Sequence, residues 1–201
     1  MTLHPDFRRG SAAPTPTGRV FEHRRIWTLD TDTHAYACRR LAAATRELGQ
    51  ISTVIGIAHG GLFPSRIIAD ALGLAAHRIT ARHNATDAAF LPATGNVACD
   101  ISTLPAALRT PDGLAGTVLL VDDICGTGAT LDAVTTALTP WTTPGTRLLT
   151  ATLCRNLGAT RVPDLYCWDV ADWVAFPWEP APPHDAHLEG LSGPAEVILR
   201  G

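Results

Sequence analysis

Asp122 and Asp123 stand side by side at the end of the apolar run Thr117-Val-Leu-Leu-Val121, and Gly126-Thr-Gly-Ala-Thr130 follows three residues later. The run reads as a buried strand, and strand pleating sends the two carboxylates to opposite faces at its carboxyl end. Burying bare carboxylates is costly unless hydroxyls, cations or other donors meet them. The glycines let successive backbone N–H groups converge at the start of a helix, and Thr127 and Thr130 add hydroxyl donors. That is an anion cradle suited to a phosphate. Acids for sugar hydroxyls beside a phosphate cradle describe a site for a sugar phosphate. A tight strand-to-helix turn with capping threonines would account for the glycines and threonines, but it leaves the paired aspartates without a purpose.

The elements that must position these groups alternate along the chain. Asp30, Thr31, Asp32 and Thr33 offer N-caps for a helix with Ala37, Leu41, Ala44 and Leu48 on its apolar face, closed by Gly49. Thr53 to Ala58 is a short continuous apolar run, as in a strand buried on both faces. Gly60 and Gly61 break it, and Leu62 to Leu72 reads as a helix ended by Gly73. A strand from Ala76 to Arg82 follows. Residues 84–116 are rich in Thr, Pro and Ala with little periodicity, apart from a possible strand near Val97 to Ile101, and suggest a functional loop or lid. After the acidic strand come a helix from Thr130 to Leu138 and strands at Arg147 to Cys154 and Leu165 to Trp168. Such alternation predicts an α/β fold, an open and mainly parallel sheet flanked by helices, with ligands at the carboxyl ends of the strands. The organisation expected is a loosely packed or disordered arm over 1–20, one domain over 21–180 with a flexible hood loop at 84–116, and a tail over 181–201.

Composition bounds the function. The 201 residues suit one well-buried domain. A formal net charge of −3 argues against a general nucleic-acid binder, and no apolar run approaches the roughly 20 residues of a membrane span. Residues 1–20 carry three arginines and no apolar core, unlike a secretory signal. Five cysteines with no CxxC pair argue against a disulfide framework or zinc site and fit a reducing cytoplasm. There is no lysine, so all 16 basic residues are arginine, and any role normally given to lysine must be filled differently.

The string from Val118 to Thr130 resembles the motif by which type I phosphoribosyltransferases bind 5-phosphoribosyl-1-pyrophosphate (PRPP). Carried over by position, the resemblance implies that Asp122 and Asp123 hold the ribose hydroxyls while Gly126, Thr127, Gly128, Ala129 and Thr130 grip the 5-phosphate. Ile55-Gly-Ile-Ala-His-Gly-Gly61 is similar to the family's pyrophosphate loop, where amides of Ala58, His59, Gly60 and Gly61 would bind pyrophosphate, often beside a non-proline cis peptide. Asp172-Trp-Val-Ala-Phe-Pro-Trp-Glu179 resembles the base-binding segment of the purine branch. There Trp173 would stack on the base, the backbone of Val174 would read its edge, and Glu179, with Asp123, would reach magnesium. The resemblance spans residues 22 to 180. It implies a magnesium-dependent reaction in which pyrophosphate leaves the anomeric carbon as a base nitrogen attacks. His59 and Arg82 would serve as catalytic contacts to the leaving group, and the hood would exclude water. PRPP and a nitrogenous base are the expected partners, with no nucleic acid or membrane, in a cytoplasmic homo-oligomer.

Three positions depart from the family pattern. Gly126 stands where guanine- and hypoxanthine-type enzymes usually carry an aspartate near the purine N7. His59 replaces the usual arginine or lysine of the pyrophosphate loop. Arg155 and Asn156 are the candidates where a lysine usually reads the purine 6-oxo group; Arg155 would either donate there or lie at the surface. Two functions therefore remain. One is transfer to a purine-like base, including a 7-deazapurine or other 7-modified base of secondary metabolism. The other is a PRPP-binding regulator that has lost turnover. The intact segment from Trp173 to Glu179 favours the enzyme, since a PRPP sensor has little use for a base platform.

Overall fold

The computed structural model describes residues 18–82 and 97–200. Its elements are β1 (Ile26–Thr28), α1 (Thr31–Glu47), β2 (Thr53–Ala58), α2 (Leu62–Leu72), β3 (Ala76–Arg82), β4 (Ala98–Asp100), β5 (Thr117–Cys125), α3 (Ala129–Leu138), β6 (Arg147–Asn156), β7 (Leu165–Val170), β8 (Trp173–Ala175), β9 (Leu188–Gly190) and β10 (Ile198–Leu199). Seven strands form one sheet in the order β10-β7-β6-β5-β2-β3-β4, parallel within β7 to β3 and antiparallel at both edges. The parallel α/β architecture expected from the alternation is the one observed.

Local chemistry explains the boundaries. Asp30 caps α1 by accepting from Thr33 N at 2.7 Å. Gly73 closes α2 in the left-handed conformation, with φ of 72°, which a side chain would disfavour. On β5, Leu119 and Val121 face one core with Ala37, Leu41 and Ile68, whereas Val118 and Leu120 face the other with Leu131, Val134 and Leu138. The sheet thus buries α1 and α2 on one face and α3 on the other. This two-sided burial is why β5 reads as an unbroken apolar run.

Several segments differ from the expectation. β5 continues through the acidic pair to Cys125, and β6 runs on to Asn156. Of the loop foreseen over 84–116, the described part carries β4 where the sequence suggests a strand near Val97 to Ile101 and is otherwise held to the body of the protein. Residues 84–96 lie outside the described residues, but β4 pairs antiparallel with β3, Leu104 and Leu114 are buried, and Leu114 N donates to Trp141 O. Two widely spaced leucines anchor this stretch, too few to produce a periodic pattern. The tail beyond 180 also joins the fold. β9 lies parallel to β1 in a small sheet ordered β8-β1-β9, and β10 adds to the edge of β7. Strands of two or three residues carry no alternation long enough to read. Of the arm expected over 1–20, residues 1–17 lie outside the described residues, and residues 18–20 pack against the body of the protein, as described below. No helix among the described residues is long and apolar enough to cross a membrane. All five cysteines are free, and all but Cys99 are buried.

Candidate active site

β5 and β2 are neighbours in the sheet, so their carboxyl ends bring the acidic pair and the Ala58–Gly61 turn together. Asp122 is nearly buried and Asp123 half-buried. Asp122 Oδ1 accepts from Asp123 N at 3.0 Å, and Asp123 Oδ1 accepts from Ile124 N at 2.7 Å. The Asp123 carboxylate lies directly over Gly60: a Cβ built there would sit 1.7 Å from its Oδ2. Gly61 is enclosed more rigidly, since its Cβ would come within 2.3 Å of Val121 O and 2.7 Å of Ile57 O. Both glycines therefore permit a close approach of two chain segments. The Ala58–His59 peptide bond is cis, and the His59 side chain is exposed.

The phosphate-loop segment follows β5 and opens α3. Gly128 adopts φ of 99°, and a Cβ on it would meet Arg161 Cβ at 2.4 Å. Thr127 O accepts from both Thr160 N and Thr160 Oγ1 at 3.1 Å, which fixes the turn to the segment after β6. Thr127 Oγ1 accepts from Ala129 N at 3.3 Å.

A cleft of about 200 Å³ opens beside this turn, lined by Asp123, Ile124, Asn156, Trp173, Val174 and Glu179, with Arg19 and Phe21 from the N-terminal arm. Burial raises the pKa of Asp122, Asp123 and Glu179. For Asp122 it does so first, and the neighbouring Asp123 charge adds to it. Asp123 is pushed up to about 6, by burial and then by repulsion from Glu179. Glu179 is raised by burial, although its Oε2 accepts from Phe176 N at 3.1 Å. A cluster of acids whose ionised forms are all disfavoured suits a cation or a set of hydroxyl donors. Among the described residues, no three His, Cys, Asp or Glu side chains converge to hold a metal alone. Magnesium keeps substrate oxygens and waters and takes one or two protein carboxylates, so Asp123 and Glu179 would be the residues to hold it.

The platform holding Glu179 is an aromatic stack. Trp178 lies between Phe63, 4.4 Å away at 4°, and Phe176, 5.0 Å away at 5°, with the His34 ring edge-on at 5.1 Å. Trp178 is thus structural and ties the strand-end segment to α1 and α2. Trp173, by contrast, lines the cleft with Phe21 stacked on it at 6.3 Å and 24°.

A family model for the phosphoribosyl transferase domain matches residues 29–185. The chain belongs to this family. It is a PRPP-dependent phosphoribosyltransferase of the type I fold. The solved structures it resembles include a purine phosphoribosyltransferase from Pyrococcus horikoshii, at 25% identity and a TM-score of 0.62, over 79% of this chain and 97% of that one. A xanthine-guanine-hypoxanthine phosphoribosyltransferase from Helicobacter pylori aligns with a TM-score of 0.60 and 20% identity, over 76% of this chain and 94% of that one. A hypothetical protein from Neisseria gonorrhoeae with bound ppGpp aligns with a TM-score of 0.56 and 20% identity, over 79% and 92%. The last two bear on fold alone. No curated protein matches the chain.

Within this phosphoribosyltransferase, not every residue singled out in the sequence reaches the cleft. Arg155 does not: its Nε donates to Asp169 Oδ1 at 2.6 Å and its guanidinium lies over the Tyr166 ring at 5.0 Å. Its strand neighbour Asn156 lines the cleft instead, as pleating requires when one of two successive residues turns away. Arg82 is exposed at the end of β3 and is absent from the cleft lining. The sequence reading missed Arg19 and Phe21, and named Asn156 only as the alternative to Arg155. Asn156 is buried, accepts from Val20 N at 2.7 Å and Gly158 N at 2.9 Å, and donates to Val20 O at 2.9 Å. A Cβ on Gly158 would meet Gly18 O at 1.9 Å, and Glu22 N donates to Ala171 O at 2.8 Å. The arm is therefore stitched into the cleft wall through its backbone, a contact 136 residues apart in sequence that no local pattern signals.

Proposed function

We propose that the enzyme transfers the 5-phosphoribosyl group of PRPP to a purine-like base and releases pyrophosphate. The observation that carries this reading is that Asp123 lines one cleft with Trp173 and Glu179 while its carboxylate lies directly over Gly60 of the Ala58–Gly61 turn. In this reading Asp122 and Asp123 hold the ribose hydroxyls, Gly126 to Thr130 bind the 5-phosphate, and the amides from Ala58 to Gly61 meet the pyrophosphate. His59, exposed at that turn, is placed to contact the leaving group. Asp123 and Glu179 are the carboxylates placed to share the magnesium that accompanies PRPP, whose charge would neutralise the leaving pyrophosphate. The C–O bond at the anomeric carbon breaks as the C–N bond to the base forms, and backbone amides at the turn offset the negative charge that builds on the leaving oxygen. Trp173 and Ile124 flank the base, and Phe21 closes the outer side.

The finer proposal concerns the base. With glycine at 126, no carboxylate faces the base edge that bears N7 in a purine, so a group there meets no like charge; at about 4 Å such a pair costs about 1–4 kcal/mol between water-like and surface dielectrics. A 7-deazapurine or another 7-modified base, as used in secondary metabolism, fits this site. The test is a panel of guanine, hypoxanthine, xanthine, adenine, 7-deazaguanine and 7-carboxy-7-deazaguanine, each incubated with PRPP and magnesium and analysed for nucleotide by mass spectrometry. The 7-modified bases are expected to give the highest kcat/KM. An ordinary purine as best substrate would remove the 7-modified specificity and leave the transfer reaction standing. Binding of PRPP with no nucleotide from any base would instead point to a regulator.

Trp173→Ala is expected to raise the KM for the base about tenfold or more, from the loss of roughly 1–3 kcal/mol of stacking, while the KM for PRPP changes little. An unchanged base KM in the folded variant would return Trp173 to a packing role.

A further inference from the structure

The space beside Gly126 is not open. The Arg19 side chain fills it: a Cβ built on Gly126 would lie 2.1 Å from Arg19 Nε, 2.6 Å from Nη2 and 2.7 Å from Cζ. Arg19 lines the cleft together with Trp173, Ile124 and Asn156. Its backbone neighbours hold it there, Val20 through both hydrogen bonds to Asn156 and Gly18 against Gly158. The guanidinium makes no hydrogen bond or ion pair among the described residues, although its charge reaches Asp122, Asp123 and Glu179 and favours their ionised forms. A planar fork of donors, anchored through its main chain and unengaged at its tip among the described residues, lines a cleft that also presents the Trp173 ring. Such a fork pairs with carboxylates and other paired acceptors.

We propose that Arg19 is a specificity-determining residue that donates to the edge of the base turned toward Gly126, so that the base carries an acceptor or an acidic substituent on that edge. The inference rests on the base site described under Proposed function and deepens it. Removing a side chain at 126 leaves room not for a bulky neutral group but for an arginine supplied by the arm. It therefore narrows the 7-modified bases to those with an acidic or acceptor group.

The experiment measures kcat/KM for guanine, 7-deazaguanine and 7-carboxy-7-deazaguanine with wild type, Arg19→Ala and Arg19→Gln. The PRPP-dependent melting shift is recorded for each protein. Because the arm is held by backbone contacts, both variants keep it in place. Arg19→Ala is expected to lower kcat/KM about a hundredfold for the carboxylated base, which loses an ion pair, and about tenfold for guanine, which loses a charge-assisted hydrogen bond to a neutral acceptor. For 7-deazaguanine, which has a C–H on that edge, the change is expected to stay within about threefold. Arg19→Gln should restore part of the guanine rate and little of the carboxylated one, and the PRPP shift should persist throughout. An equal loss for all three bases would overturn the proposal and assign Arg19 to PRPP or to the fold. A gain for all three would also overturn it and make the side chain an obstruction. A wild type that shows the PRPP shift yet converts no base would overturn this inference and the base reading together. Absence of the shift itself would reach further, to the PRPP site.

Discussion

Changing Asp122 and Asp123 together to asparagine is expected to make the ligand-free protein more stable at neutral pH and to erase the stabilisation that PRPP and magnesium confer. Both carboxyls carry raised pKa values in the fold, Asp123 near 6 against an ordinary 3.8. Between those values the native state holds more protons than the unfolded chain, so stability falls as pH rises through that interval. The Asp123 contribution is fully present below about pH 4 and is lost above about pH 6, and that of Asp122 is likewise lost as pH rises above the ordinary carboxylate range. Asparagine has no charge to bury, and its side-chain oxygen can still accept from the amides of Asp123 and Ile124, so the turn is kept. Ligand binding acts in the opposite sense. PRPP at a hundred times its Kd stabilises wild type by about 2.7 kcal/mol, which for a chain of this length corresponds to roughly 5–10 °C in Tm. Melting curves of both proteins from pH 4 to 8, with and without PRPP and magnesium, check both halves. The wild type should show a decline from pH 4 upward and a ligand shift at pH 7, and the double variant should show a smaller decline, the part that Glu179 retains, and no ligand shift. A double variant that melts lower than wild type at pH 7 without ligand would contradict the electrostatic account, and one that keeps the PRPP shift would remove the pair from the ribose site.

How much of this site can be read from the chain depends on how local its signals are. β2, α2 and β3 have the boundaries expected, because each is a continuous apolar or periodic run ended by glycine or by a charged residue. The acidic pair, the glycine turns and the Trp173 segment are legible for the same reason: each function is packed into fewer than fifteen consecutive residues. Arg19 is not legible, and Asn156 is legible only as the second choice after Arg155. Asn156 reads as one polar residue at a strand end, and its use appears only when Val20 is laid against it. The expectation for Arg155 fails on the same point, because charge alone favours it over Asn156 while the pairing with Asp169 and Tyr166 draws it away. The short strands β1, β8 and β9 form a sheet of three-residue partners, and only the assembled fold shows that β1 positions Trp173 by pairing with it.

Two neighbouring glycines should respond in opposite ways to the same substitution. In Gly60→Ala the three atoms nearest the new methyl group all belong to the Asp123 carboxylate, at the free end of a side chain. That carboxylate can rotate aside, so the fold should survive with a Tm close to wild type. The rotation takes Asp123 away from the place where a ribose hydroxyl or the magnesium would meet it. Displacing a positioning group by about an ångström costs on the order of 10²-fold, and kcat/KM for PRPP should fall by about that factor. In Gly61→Ala the methyl group meets the carbonyl oxygens of Val121 and Ile57, which are fixed in β5 and β2. Neither strand can retreat without opening the ladder that joins them. Overpacking of this kind costs about 1–3 kcal/mol, or roughly 2–12 °C in Tm for a domain of this size. Activity should fall as well, since the turn and the acidic pair are forced apart. The two variants therefore separate the role of the turn as a spacer from its role as a support. Steady-state kinetics with PRPP varied, and calorimetric melts of both proteins, provide the comparison. If Gly60→Ala retains full kcat/KM, the Asp123 carboxylate is not used where the ligand-free geometry places it. If Gly61→Ala melts with wild type, β2 and β5 are able to spread apart at their carboxyl ends, and the close approach seen there is not what holds the site together.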